Sequence, residues 1–312
     1  MKRRLVFFPF RSFTRGAAIY SPFSSSKFST AHEIESRIAV LQQETRVCLS
    51  QNKFASALEH ATACFESCEV HFGREHVATA CALNNLGQVH RQRGDLKSSL
   101  PFMVDALEVY EKISGPEHLS TGQALGNLGL LLVALAQKSK GVERLEHVEE
   151  ARGHLERALE CKRKALGERH AQVGVAMYQL ASALRLQKKF IEAEKLLVSS
   201  VTLLREAEQK NGPLTATATN NLGFLYKERG DFSRARACYE EALSVRQNLL
   251  GERHPDSVAT KHNLAECLRA SGDEEGAQRI QREIMQLFPS LVKEASEAEL
   301  QGVGASAAAT SR

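Results

Sequence analysis

The side chains able to do chemistry in this sequence are its histidines, its cysteines, and asparagines and basic residues that return at fixed intervals. Four histidines each follow a glycine-containing joint: Gly73-Arg74-Glu75-His76, Gly115-Pro116-Glu117-His118, Leu166-Gly167-Glu168-Arg169-His170 and Leu250-Gly251-Glu252-Arg253-His254-Pro255. Four imidazoles invite a metal reading, but their spacing opposes it. Equivalent positions in successive packed units lie on the order of 10 Å apart, whereas metal ligands sit about 2 Å from the ion. The seven cysteines (48, 64, 68, 81, 161, 238, 267) contain no Cys-x-x-Cys. They are read as small buried apolar residues, with Cys64 and Cys68 sharing a helix face. No phosphate-binding glycine loop, no His-Glu-x-x-His and no nucleophile elbow occurs. The chain is therefore read as non-catalytic, with no metal, no cofactor and no small-molecule substrate.

The intervals themselves carry more information. Leu83-Asn84-Asn85-Leu86-Gly87 returns as Leu125-Gly126-Asn127-Leu128-Gly129, as Thr219-Asn220-Asn221-Leu222-Gly223 and as Lys261-His262-Asn263-Leu264-Ala265, with a weaker copy at Met177-Tyr178-Gln179-Leu180-Ala181. The marker falls at Asn85, Asn127, Gln179, Asn221 and Asn263, in steps of 42, 52, 42 and 42 residues. Gly94-Asp95-Leu96 recurs as Gly230-Asp231-Phe232 and Gly272-Asp273-Glu274, with degenerate copies at Asn52-Lys53-Phe54 and Lys188-Lys189-Phe190. A small residue follows in each copy: Ala57, Ser99, Ala151, Ala193, Ala235, Ala277. Another lies seven positions beyond in all but the last: Cys64, Ala106, Ala158, Ser200, Ala242, then Ile284.

These markers imply elements that must hold them. Each unit is two antiparallel helices. The Gly-Asp pair ends one helix and begins the next: glycine reaches the left-handed conformation, and aspartate accepts from unpaired N–H groups. The small residues mark where helices press closest. No single pair buries its apolar face, so the pairs stack into a continuous core. The fold class is all-α: a right-handed superhelical α-solenoid of six antiparallel helix pairs over residues 33–288. Two irregularities stand out. The ten-residue excess follows Gln137, at 138–147, and is read as lengthening the joint inside the third pair or extending its second helix. Pro101, beyond the first turn of a helix, predicts a kink or a late start.

The ends differ in kind. Residues 1–32 hold Lys2, Arg3, Arg4, Arg11, Arg15 and Lys27 and no acid, with abundant Ser and Phe. This is the composition of a mitochondrial targeting presequence, matrix-directed, and a plastid transit peptide or a cytoplasmic chain with a disordered tail are the rivals. Arg11, Phe13 and Gly16 have the spacing of a two-step processing site cut after Tyr20. The full chain carries +4, and a chain cut there would carry −1. The basic balance thus belongs to the leader, and a nucleic-acid-binding surface is not suggested by charge. Residues 289–312 are read as a C-terminal tail, mostly disordered. No run of 18 or more apolar residues occurs, so no transmembrane segment is expected.

The histidine joints, the Asn-Asn-Leu-Gly motif and the 42-residue period together resemble the kinesin-light-chain type of tetratricopeptide repeat, across about residues 34–288. The resemblance concerns the repeat type and not the motor subunit, whose preceding heptad coiled coil is missing. It implies that the histidines cap the following helices and that the first helix of each pair lines a concave groove. It also places Asn85, Asn127, Asn221 and Asn263 inward, where an amide can donate to and accept from an extended peptide backbone. Inter-repeat hydrogen bonding is the alternative role for the same asparagines. A second stripe, Arg91, Val133, Arg185, Lys227 and Arg269, borders the groove by the same resemblance. Its four basic members would favour an acidic peptide segment or a C-terminal carboxylate; solvated charges answering the helix macrodipole are the alternative. The expected role is a protein-binding scaffold or assembly factor in mitochondria. The alternatives are an organellar RNA- or ribosome-associated repeat protein and a cytosolic light-chain-like cargo adaptor.

Overall fold

A computed structural model of the chain describes residues 31–208 and 212–287. The expected targeting segment and C-terminal tail fall almost wholly outside the described residues. Among those described are twelve α-helices: α1 Ala31–Ser50, α2 Phe54–Phe72, α3 Val77–Arg93, α4 Leu96–Ser114, α5 Leu119–Lys138, α6 Gly141–Leu166, α7 Ala171–Leu186, α8 Phe190–Ala207, α9 Pro213–Glu228, α10 Phe232–Leu250, α11 Pro255–Ala270 and α12 Glu274–Leu287. They form six pairs, each packed on the next.

The markers do what their chemistry requires. Gly94, Gly230 and Gly272 sit at φ 95, 81 and 90°, closing one helix and opening its partner. In the degenerate copies Asn52 and Lys188 take the same left-handed conformation, at φ 56 and 63°. There a side chain bears strain that glycine would not. Ala57, Ser99, Ala151, Ala193, Ala235 and Ala277 are all fully buried. Of the aspartates, Asp231 accepts from the Arg234 amide at 3.2 Å and Asp273 from the Gly276 amide at 2.8 Å. Asp95 corrects the expectation: it caps nothing, because its carboxylate is drawn to Arg93 at 3.1 Å.

Pro101 does not delay its helix. α4 begins at Leu96, anchored by the buried Leu96 and by Ser99, whose hydroxyl donates to the Gly87 carbonyl at 2.6 Å. The carbonyl left without a donor by the proline belongs to Lys97, which is exposed and open to water. The ten-residue excess is resolved as helix: only Ser139 and Lys140 form the joint, and α6 runs 26 residues.

One apolar cluster runs from Ala80 on α3 to Ile280 on α12, and two small ones lie among α1, α2 and the neighbouring faces of α3 and α4. Its centre is α5, twelve of whose twenty residues are buried. α5 is long and apolar enough by composition to cross a bilayer, but its apolar surface is mostly covered by the solenoid itself. Besides its sequence neighbours, each of α3, α5, α7 and α9 touches the next odd-numbered helix. The even-numbered helices stand further apart. The odd helices therefore make the shorter, inner wall of the curved stack, and they carry the marker asparagines.

Candidate peptide-binding groove

The joints between pairs are built first by the histidines. Each Nδ1 accepts a backbone N–H two residues on: His76 from Ala78 at 3.1 Å, His118 from Ser120 at 3.2 Å, His170 from Gln172 at 3.1 Å and His254 from Asp256 at 3.2 Å. These are helix N-caps. Among the described residues no cluster of three or more His, Cys, Asp or Glu could hold a metal. A second layer reinforces the joints. The Thr79, Thr121 and Ser257 hydroxyls donate back to the Gly73, Gly115 and Gly251 carbonyls at 2.6, 2.7 and 2.8 Å. At the start of α9 no histidine is present. Glu208 does the work instead, accepting from the Leu214 and Thr215 amides at 3.1 and 2.9 Å and from the Thr215 hydroxyl at 2.7 Å.

The marker asparagines divide into two kinds. Asn127 Nδ2 donates to Asn84 Oδ1 at 3.0 Å, and Asn263 Nδ2 to Asn220 Oδ1 at 3.2 Å. Each bond joins adjacent pairs across the inner wall, so these two asparagines act as rungs of a ladder. Asn85 has only a long contact from its amide to Cys81 Sγ, at 3.8 Å. Among the described residues the Asn221 side chain has no hydrogen-bond partner, and it faces a cavity of about 310 Å³. Leu130 and Val133 of α5, Tyr178 and Arg185 of α7, and Phe224 of α9 line this cavity with it. Burial, reinforced by the charge of Glu208, pushes the Tyr178 hydroxyl upward, so it remains a neutral donor.

The basic stripe is also uneven. Arg185 is 9% exposed, pairs with Glu228 at 2.6 Å and lies over the Phe224 ring, 4.6 Å from its centroid. Lys227 stands over the same ring at 4.8 Å, with no carboxylate partner among the described residues. Arg269 is held by Glu266 at 2.7 Å and Glu274 at 3.6 Å. Arg91 bonds only the neutral Gln88, at 2.9 and 3.0 Å, and burial lowers its pKa. Two of the four charges are thus already answered within the chain. The carboxylates that do so, 43 residues away for Arg185 and three and five for Arg269, are not distinguishable by pattern from the other surface acids.

An inner wall of odd helices with a polar ladder and a central cavity defines an α-solenoid of tetratricopeptide type. A family model for the tetratricopeptide repeat matches residues 45–112, 78–151, 142–206 and 214–290, and the chain belongs to that family. Its repeats are of the kinesin-light-chain-like kind. The chain is 24% identical over 206 residues to Protein KINESIN LIGHT CHAIN-RELATED 2 of Arabidopsis thaliana, which covers 64% of this chain and 29% of that protein. It thus spans under a third of that relative's length. Among solved structures, a putative kinesin light chain of Podosopora anserina with nearly identical TPR-like repeats superposes with a TM-score of 0.54 at 20% identity, over 70% of this chain and 98% of that one. A Rap protein in complex with competence and sporulation factor gives 0.57 at 17% identity, over 82% and 76%. At these identities the structures establish the fold. Repeats of this family mediate protein interactions, and the family is generally non-catalytic.

Proposed function

We propose that the chain is a non-catalytic scaffold whose inner groove binds an extended segment of another protein, with a preference for acidic segments. The observation that carries this reading is Asn221: an amide with no partner among the described residues, facing a largely apolar cavity at the middle of the inner wall. An amide there can bond a peptide backbone in both directions, while the Tyr178 and Phe224 surfaces take a side chain. The unpaired Lys227 supplies the attraction for acid, as does Arg91 further along the wall. The structural likeness to a Rap protein solved with competence and sporulation factor supports use of the same architecture for holding a ligand.

The leader-like composition of residues 1–32 supports a place in mitochondria, where the scaffold would hold a subunit of a larger assembly. Import of a fluorescent fusion of residues 1–32 tests that placement; a diffuse cytosolic signal would overturn it. The groove is tested by affinity purification of the full chain beside an Asn221→Ala variant. Loss of the same partners from the variant supports the groove, and an unchanged partner set contradicts it. RNase-sensitive association with RNA-bearing complexes would overturn the protein-binding reading.

A further inference from the structure

The ten-residue excess gives the third pair a protruding tip. α6 runs 26 residues, against 19, 18 and 19 for α4, α8 and α10. The excess lies at its start. The buried Ala151 is the eleventh residue of α6, whereas its counterparts Ser99 and Ala193 are the fourth of their helices. The difference of two turns carries α6 roughly 10 Å past the neighbouring joints. Val142 and Leu145 lie on this extension and are 71% and 68% exposed. They share a face with Glu149, at i, i+3 and i+7. Glu149 accepts from Gln187 of the α7–α8 joint at 2.7 Å. The face therefore looks over that joint, where Ile191 at the start of α8 is also 68% exposed.

The same edge is basic. Lys97, Lys138, Lys140, Arg144, Lys188 and Lys189 have no carboxylate within ion-pair distance among the described residues. Glu143, Glu146 and Glu192 are exposed among them, and the cations outnumber these acids two to one. Lys97, Lys138 and Lys140 border a cavity of about 450 Å³ between α4 and the tip, with Ser98, Ser139 and Glu143. The opposite edge, where one pair joins the next, is balanced differently. There Arg74, Lys112, Arg163 and Lys164 are each held by a carboxylate. Arg169 and Arg253, which have no such partner among the described residues, each follow a glutamate in sequence.

We infer that the edge of the third and fourth pairs docks on a membrane rich in anionic phospholipids, with Val142 and Leu145 entering the headgroup layer. The inference goes beyond the groove and does not depend on it. A convex helix end with exposed aliphatic side chains suits a soft interface, which takes up apolar groups to a depth of about 5–10 Å. A protein partner would need a hollow shaped to it. Five of the six cations are lysines. Lysine is a flexible point charge suited to the diffuse field of lipid phosphates, whereas arginine's fork suits a fixed carboxylate. The cavity beside the tip gives a lipid phosphate a seat among three ammonium groups.

The chain contains no tryptophan, so one introduced residue reports alone. Leu145→Trp in the full chain is compared with Val70→Trp, at a position 78% exposed on the opposite edge. Residues 1–32 are basic as well, so the readout is local to the tip and not attachment of the whole chain. Each variant is mixed with vesicles of phosphatidylcholine and phosphatidylserine, and with phosphatidylcholine alone. On the anionic vesicles Leu145→Trp is expected to shift to the blue and to be quenched by brominated acyl chains, while Val70→Trp stays unchanged. Adding Lys138→Gln and Lys140→Gln to Leu145→Trp should weaken the vesicle titration roughly 25-fold, fivefold for each lysine. No shift at 145, or an equal shift at 70, would overturn the proposal. Polyglutamate is titrated in parallel. A shift at 145 with polyglutamate and none with vesicles would assign the edge to an acidic protein and overturn it too.

Discussion

The two ends of the inner wall and its middle use the same repeat positions for different purposes. Toward the ends, Asn127 and Asn263 are tied to the preceding pair by Asn84 and Asn220. In the middle, Gly126 and Tyr178 stand where those two partners stand, and Gln179 Oε1 and Asn221 have no rung partner among the described residues. The core is continuous from α3 to α12, with Leu125, Leu131, Leu155 and Val173 fully buried near its centre, and breaks into small clusters only beside α1 and α2. The unsatisfied stretch of the inner wall therefore rests on the continuous core. Pre-organised groups on a stiff support lose little entropy on binding.

Leu155→Ala should have the largest effect. Its side chain is fully buried in the main cluster, and a loss of about 2–5 kcal/mol is expected. Ile38→Ala, in a small cluster near the chain's start, should fall at or below the lower end of that range. Urea unfolding of the two variants checks the contrast, and equal losses would remove the distinction between middle and end. Next come two glycines on one helix. A Cβ on Gly129 would lie 2.6 Å from Leu155 Cγ, while one on Gly126 meets nothing nearer than 3.5 Å. Gly129→Ala should cost about 1–3 kcal/mol by overpacking, and Gly126→Ala should stabilise by up to about 1 kcal/mol. Thermal melts should show opposite signs.

The asparagines give smaller effects. Asn127→Ala removes a half-buried rung and should cost about 0.5–1.5 kcal/mol. Asn221→Ala should stay within about 0.5 kcal/mol of wild type while weakening binding in the groove. Lys162 provides a pH signature. Burial lowers its pKa from the ordinary lysine value of 10.5, so the unfolded chain holds that proton more tightly than the folded one. The penalty is full at neutral pH and is relieved as pH rises through the folded value toward 10.5. Lys162→Met should therefore melt above wild type at pH 7, with the difference shrinking as pH rises. A constant difference would show that the ammonium is not desolvated.

Much of this was written in the repeats. Left-handed glycines and buried alanines each follow from one side chain and its neighbours in sequence, so spacing alone finds them, and the family resemblance adds the histidine caps. Pairings across the stack do not. Asp95 fails as a cap because Arg93 competes for it, and Glu208 replaces a histidine from the preceding helix. The family resemblance put all four marker asparagines at the inner wall but could not divide rungs from open amides. That division depends on the preceding residue of another repeat, 43 positions earlier. The break in the ladder did leave a trace: Gly126 interrupts the Asn-Asn pattern. Lys162 could be recognised only once α6 was seen to pass behind that glycine.

The central claim is that the middle of the inner wall is the binding surface. A photo-crosslinking residue placed at Tyr178 tests it against the same residue at Val198, which is 45% exposed on the outer helix α8. Both variants are irradiated in the presence of a partner recovered with the wild-type chain, and the adducts are mapped by mass spectrometry. The groove reading predicts adducts from position 178 and none from 198. Adducts from 198 alone would place binding on the outer face and contradict it.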